Sequence, residues 1–165
     1  MDGIKHYENL HCEFIMPILA IMIGIQASGK SRFATTYLRE YTRINLDTLH
    51  TRSKEKLALD EAIKNAENIV IDNTNPKIED RAKYIQSVCE HGYRVEGYFM
   101  QSRLQDCIER NEHRTGKERV PRKAIAATSN KLELPDYKEG FDSLYFVNFV
   151  DDKAEIHEWG QKNDI

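Results

Sequence analysis

Apolar and polar residues follow one another along this chain in two rhythms. Short apolar runs recur at Ile18-Leu19-Ala20-Ile21-Met22-Ile23, at Ile69-Val70-Ile71, from Tyr93 to Met100 and from Leu144 to Val150. Runs of this length and composition predict strands buried on both faces of a sheet. A shorter strand is predicted over Tyr41 to Asn45, ending at Leu46-Asp47-Thr48. Between the strands the apolar positions fall at helical spacing. Phe33, Ala34, Tyr37, Leu38 and Tyr41 mark one helix face, and Leu59, Ala62, Ile63 and Ala66 mark another within Lys54 to Glu67. Asn75-Pro76 reads as the opening of a third helix, with Ile78, Ala82, Ile85, Val88 and Cys89 inward and Gly92 as its stop. Ser102 with Gln105 reads as a capping box for a fourth, which buries Leu104, Cys107 and Ile108. A fifth restarts at Pro121 and carries Ala124, Ile125, Ala126 and Ala127 toward Leu132. Strands alternating with helices predict an α/β fold: about five parallel strands, covered by helices on both faces through right-handed crossovers.

The chain has 165 residues, 40% hydrophobic and 31% charged, which suits one globular domain with a real core. The pattern divides it into an N-terminal extension (1–15), a main domain (16–150) and a polar tail (151–165) with one amphipathic turn around Ile156 and Trp159. Asp2, Glu8 and Glu13 break up the extension, so it does not read as a signal peptide. No apolar run approaches the roughly 20 residues that span a bilayer. The three cysteines, Cys12, Cys89 and Cys107, are widely spaced, and the six histidines show no metal spacing. A reducing, cytoplasmic setting with free thiols is expected. The net charge of −3 argues against coating long nucleic acid by charge alone and leaves room only for a local basic patch.

Candidate chemistry begins where the first strand ends. Gly24-Ile25-Gln26-Ala27-Ser28-Gly29-Lys30-Ser31 fits the phosphate-loop pattern G-x-x-x-x-G-K-[ST], with an apolar strand before it and an amphipathic segment after it. The backbone N–H groups of such a loop wrap phosphate oxygens, and glycines stand where a Cβ would block the wrap. The helix that follows points its positive end at the phosphates. Lys30 is placed to reach the β/γ-phosphates of ATP, and the Ser31 hydroxyl to ligate Mg²⁺.

Two acids follow the next two strands. Asp47 sits where a phosphotransferase needs a base for an attacking hydroxyl, and equally where a helix needs an N-cap. Asp72 ends an apolar run, as does the acid that holds Mg²⁺ in P-loop enzymes, and a turn residue is the competing reading. Gly24, Asp47 and Asp72 therefore converge at the carboxyl ends of three strands, where ligands bind in open α/β sheets. In Asp72-Asn73-Thr74-Asn75 the polar side chains suit either a substrate or a plain turn. Arg110, Arg114, Lys117, Arg119 and Arg122, hinged at Gly116, suit a lid over developing phosphate charge or a solvated charged face. His50 lies one helical turn from Asp47.

Taken together these stretches resemble the kinase domain of the 5′-hydroxyl polynucleotide kinases of phage and animal repair enzymes. The closest match is Ile69-Val-Ile-Asp72-Asn-Thr-Asn-Pro76 with Arg81-Ala-Lys-Tyr84, similar to a D-N-T-N-P followed by R-A-x-Y. Asn45-Leu46-Asp47-Thr48-Leu49 is similar to N-R-D-T-L, and Arg110-Asn111, Arg114-Thr115-Gly116 and Val120-Pro121 resemble the lid and the helix after it. The likeness runs from about Ile18 to Val150. It implies a P-loop kinase fold with a short arginine-bearing lid. It also implies ATP and Mg²⁺ held at residues 24–31, Asp47 as general base, and Arg114 with Arg110 on the donor phosphates. Asp72, Thr74 and Val120 would then serve the acceptor, a 5′-OH end of DNA or RNA. There are departures. Leu46 stands where the family usually has Arg, His50 replaces an Arg that grips the acceptor phosphate in the phage enzyme, and one extra residue separates Arg114 from Val120. Arg52 and Arg81 are available to supply phosphate-gripping groups near Asp47, and the sequence does not show whether they point inward. No D-x-D-G-T phosphatase motif occurs. Two other readings fit the P-loop: a kinase for a small hydroxyl metabolite or nucleoside, and a nucleotide-binding switch without an acceptor.

Overall fold

The computed structural model describes residues 16–160. The predicted N-terminal extension, with Cys12, lies outside the described residues. Strand β1 (Ile18–Ile23) runs between β3 (Ile69–Ile71) and β4 (Arg94–Met100), with β2 (Thr42–Ile44) beyond β3 and β5 (Ser143–Val150) beyond β4. These five are parallel, as the pattern predicts. A sixth strand, β6 (Lys153–Glu158), pairs antiparallel with β5 and is made from the tail expected to hold only an amphipathic turn. Asp151 and Asp152 form the connection, both with positive φ (46° and 64°). A two-residue loop with two positive φ angles matches the twist of a hairpin.

The helices are α1 (Lys30–Tyr37), α2 (Leu46–Leu49), α3 (Arg52–Lys64), α4 (Ile78–Val88), α5 (Leu104–Glu112) and α6 (Arg122–Lys131). Strand alternation divides the core. Leu19, Ile21 and Ile23 of β1 join Leu59, Ile63, Tyr84 and Val88 on one face of the sheet, while Ala20 and Met22 join Phe33, Ala34 and Tyr98 on the other. A third cluster buries Ile25 and Ala27 against Cys107, Ile108 and Ile125, so the loop after β1 is packed against α5 and α6. Among the described residues no helix is long and apolar enough to cross a membrane.

Several local expectations change. Pro76 does not open α4: Asn75 is left-handed (φ 45°), Lys77 is extended, and the helix starts at Ile78 with Asp80 accepting from the Lys77 N–H at 3.1 Å. Its inward face is Arg81, Tyr84 and Val88, whereas Ile78 and Cys89 are exposed. The capping box at Ser102 is absent. Arg103 is the N-cap, and the Ser102 hydroxyl instead donates to the Met100 carbonyl and accepts from the Ile25 N–H, which fastens the loop after β1 to β4.

Candidate functional site

The loop from Gly24 to Gly29 turns on glycine and on contact. Gly29 is left-handed (φ 100°), and a Cβ there would come within 2.6 Å of the Phe149 ring. Gly24 donates its N–H to the Thr74 carbonyl at 3.0 Å. Lys30, at the start of α1, is buried and donates to the Ile25 carbonyl at 2.6 Å and to the Ser28 hydroxyl at 3.4 Å. Burial pushes its ammonium down to about 8, against the pull of Asp72, with Cys107, Arg114 and Asp47 acting more weakly. Ser31 is exposed in the first turn of α1.

The register Ile21↔Ile71↔Ile44 aligns the ends of β1, β3 and β2, so Gly24, Asp72 and Asn45 emerge at one edge. Asp72 to Asn75 bracket this edge. The Asn45 side chain donates to the Asp72 carbonyl at 2.5 Å, the Leu46 N–H donates to Asn73 Oδ1 at 2.9 Å, and Asn75 Nδ2 donates to the Met22 carbonyl at 2.8 Å. The side chains of Asn73 and Asn75 are thus held by the protein itself. Asn45 also caps α2 through the Thr48 N–H. Asp47 is therefore not the cap: it is exposed in the first turn of this short helix. His50 ends that helix, exposed and left-handed (φ 67°).

Asp72 is 2% exposed. Its Oδ2 accepts two bonds from Arg43 on β2, at 2.8 and 2.5 Å, while Oδ1 is buried with no hydrogen-bond partner among the described residues. Sequence reasoning missed Arg43, and its single-position place in a three-residue strand offered no signal. The direction of Arg81, open in the sequence, is settled by its partners. Arg81 is 0% exposed, bonds Glu139 through two nitrogens (2.7 and 2.8 Å) and donates to the carbonyls of Asn75, Pro76 and Glu133. Thus Arg81 braces the loop after β3 from behind and does not face an acceptor.

Two clefts flank the loop. One, of about 350 Å³, is bounded by Ser28, Asp106, Arg110, His113 and Phe149. The other, of about 400 Å³, is bounded by Arg52, Asn73, Thr74, Lys77, Lys83 and Lys131. Its wall also includes Thr128, whose hydroxyl accepts from the Gln26 side chain at 3.0 Å. Arg110 and Arg52 therefore border different clefts. Arg110 bonds back to its own helix at the Asp106 carbonyl. Asn111, buried, clamps Val120 by both its N–H and its carbonyl, at 2.9 and 2.8 Å, closing the segment that carries Arg114 and Gly116. Lys117 and Arg119 are exposed on that segment. Among the described residues no group of three or more His, Cys, Asp or Glu is arranged to hold a metal ion.

The chain matches the model of the AAA domain family over residues 55–135. It is 31% identical over 136 residues to a bifunctional polynucleotide phosphatase/kinase of Schizosaccharomyces pombe, covering 79% of this chain and 33% of the relative. It is 31% identical over 144 residues to a putative bifunctional polynucleotide phosphatase/kinase of Acanthamoeba polyphaga mimivirus, covering 82% of this chain and 34% of the relative. The chain thus spans about a third of the length of these curated relatives. In solved structures the fold recurs in a gluconokinase from Sinorhizobium meliloti 1021, with a TM-score of 0.54 at 22% identity, covering 81% of this chain and 83% of that one. The chain therefore has the fold of the P-loop kinases and is similar over about four-fifths of its length to bifunctional polynucleotide phosphatase/kinases.

Proposed function

We propose that this domain transfers the γ-phosphate of ATP to the 5′-hydroxyl end of DNA or RNA. The observation that carries the reading is the strand register that brings Gly24, Asp72 and the turn leading to Asp47 to one edge of the sheet, beside the buried Lys30, with clefts bordered by Ser28 and by Thr74. A transferase needs two substrates that meet at one phosphoryl group, and two clefts beside a phosphate loop suit that requirement. In this reading ATP enters on the Ser28 and Arg110 side. The N–H groups of residues 24–31 and the ammonium of Lys30 hold its phosphates, and Arg114 adds charge over the transferred group. The acceptor enters on the Arg52 side, with Thr74 bordering it, whereas Val120 borders a separate cleft with Arg119 and Arg122. Asp47, exposed on α2 and free of capping duty, takes the proton of the attacking hydroxyl. Mg²⁺ fits the exposed Ser31 hydroxyl and the unpartnered Oδ1 of Asp72, and when bound it would neutralise phosphate charge. Arg43 holds the other oxygen of Asp72 and fixes its orientation.

The acceptor cleft favours a nucleic acid end over a neutral metabolite. Arg52, Lys77, Lys83 and Lys131 line it against only two carboxylates, Glu79 and Asp80. Those four cations suit the phosphates that follow the reacting hydroxyl. The test is transfer of labelled γ-phosphate to 5′-OH DNA and RNA oligonucleotides, nucleoside 3′-monophosphates and hydroxyl metabolites. Label on the nucleic acids, lost in Lys30→Ala, is the expected outcome. Label confined to metabolites would overturn the reading.

The lowered Lys30 ammonium gives the donor site a pH signature. Burial lowers the Lys30 ammonium of the free protein to about 8, so it sheds its charge at lower pH than an ordinary lysine, and a bound triphosphate draws the proton back. ATP binding should therefore take up a proton between about pH 8 and 10, and affinity should fall as pH rises through that window. Without nucleotide the sign reverses. The unfolded chain keeps this proton up to its ordinary value of 10.5, so Lys30 makes the folded protein more stable as pH rises from about 8 to 10.5. Calorimetric titration in buffers of different ionisation enthalpy measures the uptake, and Lys30→Arg should abolish it.

A further inference from the structure

Transfer chemistry leaves the buried charge of Glu55 without a role. Glu55, in the first turn of α3, is 4% exposed. Its Oε1 accepts from the Tyr84 hydroxyl at 2.7 Å and from Asn73 Nδ2 at 2.7 Å, and its Oε2 accepts from Arg52 at 2.8 Å, with the Lys83 ammonium at 3.9 Å. Burial pushes this carboxyl up, but the hydrogen bonds from Arg52 and Tyr84, with the charges of Arg52 and Lys83, hold it below the usual carboxylate range. A carboxylate kept charged under cover must be fully partnered, and this one is.

Its partners lead to both halves of the acceptor site. The Asn73 amide that donates to Glu55 accepts, through Oδ1, the Leu46 N–H at 2.9 Å. That N–H begins α2 and has no partner within the helix, and Asp47 is the next residue. Glu55 thereby also fixes which way the Asn73 amide faces, because only a nitrogen can point at the carboxylate. On the other side Arg52, at the border of the basic cleft, is held by Oε2. A tie between α3 and α4 alone would need only Tyr84 and Lys83.

We propose that Glu55 is a positioning residue of the transfer site: through Asn73 it fixes the turn that carries Asp47, and directly it aims the Arg52 guanidinium into the acceptor cleft. The proposal rests on the acceptor-kinase reading above. Its two arms separate kinetically. Glu55→Gln keeps an oxygen for Asn73 and Tyr84 but turns an amide nitrogen toward Arg52, and releases it. The acceptor KM should rise about tenfold, with kcat and the KM for ATP within about twofold. Arg52→Lys reaches the same arm from an exposed position and should raise the acceptor KM alike, which covers the case of a poorly folded Glu55→Gln. Asn73→Ala frees the Leu46 N–H, so kcat should fall about tenfold with the KM for ATP unchanged. Hydrogen exchange over residues 45–50 should quicken about tenfold in Asn73→Ala, and stay unchanged over residues 24–31. A merely structural Glu55 would lower the melting temperature and move donor and acceptor constants together, or neither. That result, or unchanged exchange over 45–50, overturns the proposal. If the wild type labels no 5′-OH acceptor, the parent reading fails by itself, and exchange over 45–50 still decides the Asn73 arm.

Discussion

Asp47→Asn should abolish most phosphate transfer while leaving ATP binding within about twofold of wild type. The substitution keeps size and hydrogen-bonding capacity and removes only the basic oxygen. General base catalysis of this kind contributes about 10²- to 10⁴-fold, so kcat should fall by that range with the acceptor KM nearly unchanged. Folding should be indifferent. Asn45, not Asp47, caps α2, and Asp47 is exposed in its first turn. Asp47 is also the weakest of the named charges acting on Lys30, so its loss should scarcely alter the donor site at neutral pH. Single-turnover transfer, with ATP affinity measured on the same preparations, checks both halves. A kcat within threefold of wild type would remove Asp47 from the proton-transfer step.

Arg81→Met should unfold more protein than any exposed-arginine change. Arg81 makes five hydrogen bonds under complete cover: two to Glu139 and three to the carbonyls of Asn75, Pro76 and Glu133. Removing one partner of a buried pair leaves the other charged and dry, a loss of about 3–5 kcal/mol. For a chain of this size that corresponds to a melting temperature lower by roughly 6–20 °C. The pair itself is a weaker source of stability than its breakage suggests. Arg81→Met with Glu139→Leu should lose clearly less than Arg81→Met alone, because no carboxylate is stranded. Urea melts of wild type, both single variants and the double variant measure this. Equal losses in Arg81→Met and the double variant would mean that the three carbonyl bonds, and not the ion pair, carry the effect.

How much of this was legible in the sequence follows the range of each interaction. The strand entering Gly24 and the apolar run ending at Asp72 are local patterns, and both were read correctly, as was the parallel order they imply. Strand β6 was not. Its positions 153–158 are mostly exposed, Ile156 included, so its burial carries no clean alternation, and only its pairing with β5 makes it a strand. The start of α4 was misread because Pro76 is favoured near helix starts, yet the left-handed Asn75 and extended Lys77 displace the first turn to Ile78. Arg81 was one of two arginines available to grip an acceptor phosphate, and the sequence left open whether it points inward. Its partner Glu139 lies 58 residues away, and nothing local announces such a pair. Asn73 shows the same limit more finely. Its side chain was read as available to substrate or turn, but it links Leu46 to Glu55, elements that adjoin only after β2 and β3 pair.

One comparison bears most directly on the transfer reading. The wild-type protein, with ATP labelled at the γ-phosphate and Mg²⁺, would be given the same oligonucleotide in two forms: one with a free 5′-hydroxyl and one already bearing a 5′-phosphate. Label on the first alone, removable from its 5′ end, is the expected result. Equal labelling of both forms, or label on neither while ATP binds normally, would contradict it.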